Sequence, residues 1–310
     1  MKTKKENVVY EIFDKEAIRK LFENHTIIPT RWRGNDSLTS LSIECSDKPQ
    51  DPKDLIEIFG LNEALFRCGF KQAISGDGQE GERIRTLHSS ALLSLLCFYG
   101  ISKNNPLQLN IDNRKITFSS SEFEVKNEVC TNHLSNIDVV LSGEDENRRK
   151  VKLFLESKFS EYLNRGKYTG ISDEVYGSTY KQLENTFQKM GLVYNNGTLG
   201  SAEGYTRHYA GGIKQMISHF IGLKNEVEKG TYSDVDDIYL GEILYVFPDS
   251  VDKNHEKLND YTNIYGKLAE GLNELTESKF KVIEKCYTYQ DLFKGYGHLD
   301  EKVKIFYSLL

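Results

Sequence analysis

Four residues in the middle of the chain have the types and the spacing that hydrolysis of a phosphodiester would use. Glu156, Ser157 and Lys158 stand together in an apolar run, KVKLFLESKF, and Asp138 lies in another short apolar run, NIDVVL. Alternate residues of a strand point to opposite faces of its sheet, so Glu156 and Lys158 would project side by side. If the two runs form neighbouring strands, we expect Asp138 to converge with them on one point.

Two carboxylates held close together repel each other, and a divalent cation between them relieves that repulsion. Mg²⁺ is typically bound through one or two protein carboxylates, with water and substrate oxygens completing its shell. We therefore predict a site for Mg²⁺, with Mn²⁺ as the alternative ion, formed by Asp138, Glu156 and the backbone carbonyl of Ser157. Lys158 would orient the attacking water or stabilise the charge that grows on the phosphate.

A simpler interpretation of the same residues is an exposed ion pair between Glu156 and Lys158 at a sheet edge, with Asp138 closing a turn. Such pairs contribute little to stability and need no function. Against this interpretation, Phe154 shares a face with Glu156, and the run is apolar on both faces. Because this pattern indicates burial, and an unpaired buried charge is costly, we favour the metal site.

The composition is that of an ordinary globular protein. A net charge of −6 over 310 residues argues against a surface built for indiscriminate nucleic-acid binding, although it leaves a local basic groove open. The five cysteines are odd in number and contain no CxxC pair, which predicts neither a disulfide framework nor a zinc site. The longest apolar stretch, 91–99, is about half of what a spanning helix needs. We therefore expect a protein of the reducing cytoplasm, without a membrane partner.

The periodicity of the chain predicts the elements that position the four residues. Residues 115–129 alternate as one bent strand or a hairpin, and two further strands follow at 136–142 and 150–159. Short connections between consecutive strands favour an antiparallel meander. The apolar run at 237–247 predicts a buried strand, which can return parallel to the others because a helix precedes it.

Helical periodicity marks three further segments. A helix at 82–99 would place Glu82 and His88 at its polar end, near one edge of the sheet. A helix at 211–224 carries Gln215 and His219 four residues apart on one face. A short heptad seam at 258–275 favours packing on the body of the chain itself, and leaves a homodimer as the alternative.

The connection at 161–212 is long and rich in tyrosine. Arg165 and Lys167 lie among these tyrosines, a mixture that suits binding of a phosphate backbone and stacking of bases. Connections of this length are uncommon inside a compact domain and often form a lid or a binding element. An insertion that packs its own small tyrosine core is an equally good interpretation.

In their order, these elements resemble the core of the PD-(D/E)xK nuclease superfamily. The match consists of a helix, a strand, a strand with Asp138, a strand with Glu156-Ser157-Lys158, a helix and a strand, over roughly 80–247. The resemblance implies that Asp138 and Glu156 bind the metal and that Lys158 assists catalysis. It also implies Glu82 as an acid of the first helix, and Gln215 or Lys214 as a residue of the second. Ile137 stands where the proline of the motif would be.

The resemblance implies an α/β (α+β) fold with a restriction-endonuclease-like core and a mixed sheet flanked by helices. Outside it, the periodicity of the sequence predicts helical additions at both ends. On this basis we divide the chain into a helical extension, 1–78, a nuclease-like core, 79–250, with its insertion at 161–212, and a C-terminal addition, 251–310.

The function implied is that of a Mg²⁺-dependent endonuclease-type hydrolase acting on nucleic acid; DNA is the expected substrate, and the sequence leaves RNA open. A restriction or defence role follows only by analogy with the fold. Its catalytic residues would be Asp138, Glu156, Lys158, Glu82 and Gln215, and its substrate-binding residues Lys214, Arg165, Lys167 and His88. Two alternatives stay open: a nuclease-like module that binds nucleic acid or protein without cutting, and an assembly protein that uses the heptad seam.

Overall fold

The computed structural model describes residues 27–31, 39–43, 51–75, 84–86, 89–160, 162, 168–195, 197–202, 210–248, 255–276 and 279–309 of the chain. In the first part of the chain, β1 (Ile27–Arg31) and β2 (Thr39–Ile43) pair antiparallel. Three helices follow: α1 (Lys53–Phe59), α2 (Glu63–Ala73) and α3 (Ser90–Phe98).

The helix predicted at 82–99 begins later than expected. The Ser89 side chain accepts a hydrogen bond of 3.1 Å from the Leu92 N–H and so caps α3. Upstream, residues 84–86 form a turn and a short bridge, and the buried Arg85 guanidinium lies 3.8 Å from Asp54. The prediction of a helix is therefore wrong at residues 84–86, and the described helix begins only after its Ser89 cap.

The central sheet is mixed and contains seven of the described strands. Its first four are β3 (Leu107–Ile111), β4 (Arg114–Cys130), β5 (His133–Asp145) and β6 (Lys150–Lys158), all paired antiparallel. Next to β6 lies β10 (Asp237–Leu244), which is parallel to it and also pairs in parallel with β11 (Phe280–Val282) and β12 (Tyr287–Thr288). The predicted meander and the parallel return are both confirmed.

The insertion between β6 and β10 has its own structure. It comprises β7 (Tyr168–Gly170), α4 (Asp173–Gln182), α5 (Glu184–Lys189), β8 (Leu192–Asn195) and β9 (Thr198–Ser201), with the strands in the order β7-β9-β8. The long helix α6 (Ala210–Glu228) then leads to β10. After β10 come α7 (Glu256–Asn273), α8 (Tyr289–Phe293) and α9 (Glu301–Tyr307).

Two hydrophobic cores lie on the two faces of the sheet. The first core joins one face to α1, α2, α3, α8 and α9. The second core joins the other face to the insertion, α6 and α7. The seam residues of α7, among them Tyr261, Tyr265 and Leu268, are buried against the chain itself, as the sequence predicted. Among the described residues, no helix is both long and apolar enough to cross a bilayer.

Helix α5 of the insertion and helix α7 are in very close contact. A Cβ atom at Gly271 of α7 would lie 2.2 Å from the Thr186 Oγ1 of α5. Only a glycine leaves room for the Thr186 side chain against the backbone of α7. This part of the insertion is therefore packed tightly against the body of the protein.

Candidate functional site

The strand register brings the two predicted acids together. On β5 and β6, Val140 lies opposite Phe154 and Val139 opposite Leu155, which places Asp138 and Glu156 next along the pair. The Asp138 Oδ2 accepts a hydrogen bond of 2.7 Å from the backbone N–H of Ser157. One carboxylate oxygen of Asp138 is thus fixed to the backbone between Glu156 and Lys158.

Glu156 and Lys158 are buried side by side, each about 2% exposed. The Lys158 Nζ donates hydrogen bonds to Glu156 Oε1 at 2.7 Å and to Gln215 Oε1 at 2.5 Å. The Gln215 Nε2 donates to Glu156 Oε1 in turn. Because both side chains are buried, the interpretation of an exposed ion pair is wrong. The hydrogen bonds among Glu156, Lys158 and Gln215 are the partners that two buried charges require.

A histidine completes the surroundings of Glu156. His219, one turn after Gln215 on α6, is 2% exposed, and its Nε2 lies 2.9 Å from Glu156 Oε2. The sequence places Gln215 and His219 on one face of this helix, but it predicted no role for His219. The i, i+4 spacing was the signal that could have assigned it.

The pKa values of Asp138 and Glu156 are shifted in opposite directions. Burial, and then the charge of Glu156, raises the pKa of Asp138 well above its usual range. Burial alone would also raise the pKa of Glu156, but the Lys158 charge, aided by His219, outweighs burial and lowers it to about 2. Neighbouring carboxyls with divided pKa values are typical of sites where protons or cations are exchanged.

Glu124 is a further acid of the site that the sequence analysis did not identify. It lies on β4 between Phe123 and Val125, which pair with Val139 and Ile137 on either side of Asp138. Its φ of +52° lies in the left-handed region, which is rare for a residue with a side chain. Its side chain is buried, and its charge also raises the pKa of Asp138.

Both strands change face at this point. Phe123 and Val139 pack in the first core, whereas Val125 and Ile137 pack in the second. A regular strand would keep residues two apart on the same face. The change of face therefore falls at Glu124 and Asp138, and the pairing register is the same on both sides of them.

One more buried acid lies on the next strand. Glu242 of β10 is in register with Glu156 and is fully buried, and the Tyr261 hydroxyl donates a hydrogen bond of 2.7 Å to its Oε2. Four acids therefore occupy successive strands of the sheet: Glu124, Asp138, Glu156 and Glu242. Periodicity did not indicate this row, because it depends on pairings distant in the sequence.

A cavity of about 350 Å³ opens beside Asp138. Its walls include Glu124, Gln215, His219, Ser135, Ser218, Tyr176 and Lys214. Lys214 also donates a hydrogen bond of 2.9 Å to the Gly170 carbonyl of the insertion. The predicted substrate-binding residue Lys214 therefore lies at the cavity, and one of its N–H groups is already bound to the Gly170 carbonyl.

The structure brings together four of the predicted residues, Asp138, Glu156, Lys158 and Gln215. The Ser157 side chain points away from them, with its Oγ 2.7 Å from the Tyr289 hydroxyl, so that only its backbone faces the site. Four other candidates lie outside the described residues: Glu82, His88, Arg165 and Lys167.

The donors at the site suit a hard cation. Asp138, Glu156 and the Ser157 carbonyl are all oxygen donors, the kind that Mg²⁺ prefers. Burial and mutual repulsion raise the pKa of Asp138, and a cation would remove that repulsion. Within the described ranges, however, no set of three or more histidine, cysteine, aspartate or glutamate side chains is arranged to hold a metal ion. Water or substrate oxygens would have to complete the shell.

Comparison with protein-family models, with curated proteins and with solved structures found no match to this chain.

Proposed function

We propose that this protein is a divalent-metal-dependent nuclease of the PD-(D/E)xK type, with a restriction-endonuclease-like core, that hydrolyses phosphodiester bonds of nucleic acid, DNA rather than RNA. The observation that carries the proposal is the convergence of Asp138, Glu156, Lys158 and Gln215 from two strands and a helix. The parallel strand β10, which follows α6, agrees with the order of elements in that superfamily.

In the proposed reaction, Asp138, Glu156 and the Ser157 carbonyl hold the cation, which when bound would supply positive charge and a more acidic water. The Lys158 ammonium hydrogen-bonds an oxygen of the scissile phosphate and stabilises its growing negative charge. Gln215 keeps the Lys158 side chain in place through its own hydrogen bonds. Because Glu156 and Lys158 are buried, their charges act with little screening by bulk water.

A second candidate is a nuclease-like module that binds nucleic acid without cutting it. Glu156 favours this alternative, because its Oε1 already accepts hydrogen bonds from Lys158 and Gln215 and its Oε2 lies beside His219. A cation would have to share or displace these partners. In a non-cutting module the same contacts would serve only to stabilise the fold.

Cleavage assays separate the two candidates. Purified protein is incubated with plasmid and with single-stranded DNA and RNA, in Mg²⁺, in Mn²⁺ and in EDTA, beside Asp138→Asn and Lys158→Met. We expect metal-dependent cleavage by the wild type and a loss of about 100-fold or more in each variant. Lys152→Met is the matched control, since Lys152 lies on the same face of β6 but contacts Glu122 instead.

The control variant should keep the wild-type rate, and thermal unfolding of every variant shows whether each still folds. Cleavage that is equal in wild type and both variants would mean a contaminating nuclease. If no substrate is cut while nucleic acid is still bound, the binding module replaces the nuclease.

A further inference from the structure

The cavity beside Asp138 extends well beyond the acids. Its lining includes Ser135, which lies three residues from Asp138 on β5, a spacing of about 10 Å along a strand. Helix α6 contributes Ser218 and His219 to the lining, and the insertion contributes Tyr176. The volume of about 350 Å³ is at the lower end of the range of roughly 300–1,000 Å³ for small-ligand sites.

Two buried polar atoms in these walls lack partners. The Ser135 hydroxyl belongs to a side chain that is 5% exposed, and it has no hydrogen-bond partner among the described residues. The same holds for the His219 Nδ1, whose side chain is 2% exposed. Buried polar groups are normally satisfied, so these two side chains offer hydrogen-bonding atoms that water, an ion or a polar ligand could satisfy.

The wall also offers an aromatic ring. Tyr176 is only partly buried, and its hydroxyl lies 3.3 Å from the Ser218 Oγ, which ties the ring to α6. A tyrosine ring held at the edge of a polar cavity can stack on a nucleic-acid base, and such stacking is tolerant of sequence. The cavity therefore combines the Asp138 carboxylate with polar and aromatic groups that suit a nucleoside.

We propose that this cavity binds one unpaired nucleotide next to the scissile phosphate, and that the substrate is therefore single-stranded nucleic acid. The proposal rests on the proposed function for the position of the phosphate. In a duplex each base is stacked and paired inside the helix, so a base can enter a protein cavity only when it is unpaired. Tyr176 stacks on the base, while Ser135 and His219 hydrogen-bond its polar edge or its sugar.

Binding tests the proposal without requiring cleavage. A fluorescent single-stranded oligonucleotide and the same sequence as a duplex are titrated with the protein in Ca²⁺, which supplies the cation without Mg²⁺. We expect the single strand to bind at least tenfold more tightly than the duplex. Tyr176→Ala should weaken single-strand binding about tenfold, since that is the size of one stacking contact, whereas Tyr176→Phe, which keeps the ring, should bind nearly as well as wild type.

Tyr194→Ala is the matched control, because both Tyr176 and Tyr194 contact the Tyr180 ring but only Tyr176 lines the cavity. Duplex binding as tight as single-strand binding, or a Tyr176→Ala variant that binds like wild type, would overturn the proposal. The nuclease function fails separately: a protein that binds single strands through Tyr176 but cuts nothing in Mg²⁺ or Mn²⁺ keeps this subsite and loses the enzyme. Cleavage in Mg²⁺ with no preference for single strands would support the nuclease function and overturn the single-strand subsite.

Discussion

The Asp138 carboxylate accepts a hydrogen bond of 2.7 Å from the backbone N–H of Ser157, the residue that separates Glu156 from Lys158. This bond crosses from β5 to β6 and fixes the first acid relative to the second without using a side chain of β6. Glu156 is meanwhile surrounded by positive and donor groups, whereas Asp138 has Glu156 and Glu124 as acidic neighbours. Four measurements follow from this arrangement and from the packing around it.

The stability of the protein should depend on pH through Asp138. The pKa of Asp138 is raised in the folded state, so between the unfolded and folded pKa values the folded protein binds more protons than the unfolded chain. The contribution of Asp138 to the free energy of unfolding is therefore fully present below about pH 4, the pKa of a free aspartate, and is lost as pH rises through the folded pKa. Asp138→Asn removes this loss, so the stability of the variant relative to wild type should increase with pH. Urea unfolding in EDTA across a pH series measures the difference.

Asp236→Asn is the control for that series, because Asp236 also accepts a hydrogen bond from a backbone N–H, that of Lys150, but is exposed. The stability of this control relative to wild type should not show the increase with pH that is expected for Asp138→Asn. The absence of that increase for Asp138→Asn as well would show that Asp138 is not destabilised by its surroundings.

The Glu156–Lys158 pair should be strongly coupled in stability. Lys158→Met leaves the Glu156 charge buried without its main partner, which costs about 3–5 kcal/mol in unfolding free energy. The double variant Glu156→Gln/Lys158→Met removes both charges and should be less destabilised than the sum of the two single variants. A double-mutant cycle by chemical unfolding measures the coupling.

The exposed pair between Lys53 and Glu57, at 3.7 Å with both side chains more than half exposed, provides the reference cycle. Its coupling should not exceed about 0.5 kcal/mol. A Glu156–Lys158 coupling as small as this would mean that water screens the site in solution.

Glu124 should be held in a strained backbone conformation. Glycine adopts a φ of +52° without steric cost, whereas a residue with a Cβ loses about 1 kcal/mol or more there. Glu124→Gly should therefore be more stable than Glu124→Ala by about 1 kcal/mol, since both variants lack the carboxylate. At Glu122, which pairs regularly with Val140, the order should reverse, with alanine the more stable. If the glycine and alanine variants had the same order of stability at Glu124 as at Glu122, the backbone at Glu124 would not be strained.

The contact between α5 and α7 should not tolerate a methyl group. Gly271→Ala places a Cβ 2.2 Å from the Thr186 Oγ1, so we expect a loss of about 1–3 kcal/mol in unfolding free energy. Adding Thr186→Ala should recover part of the loss, because it removes the clashing atom. Gly100→Ala, where a Cβ meets nothing within 4 Å, should be nearly neutral. Thermal unfolding of the four proteins tests this contact.

The parts of the fold predicted correctly are those governed by local periodicity. Alternating apolar residues and short connections fix the meander of β4, β5 and β6, and with it the meeting of Asp138 and Glu156. The start of α3 was predicted about two turns too early, because apolar and helix-compatible residues precede Ser89 and only the cap decides the boundary. The periodicity of apolar residues does not identify the residue at which a helix begins.

The remaining features of the site depend on contacts distant in the sequence. A glutamate in the left-handed region has no signature in the sequence, so Glu124 could not be recognised before its φ was known. The cavity requires the insertion to place Tyr176 beside α6, an arrangement that the tyrosine content of the insertion did not specify. His219 is the exception, since its spacing from Gln215 was visible.

The tight contact at Gly271 also determines how a substrate could be selected. Helix α4, which carries Tyr176, is separated from α5 by Leu183 alone, and α5 is clamped against α7. The aromatic side of the cavity is therefore connected, through Leu183 and α5, to a helix of the body of the protein. Selection between ligands would then depend on their size and on their fit to the shape of the cavity.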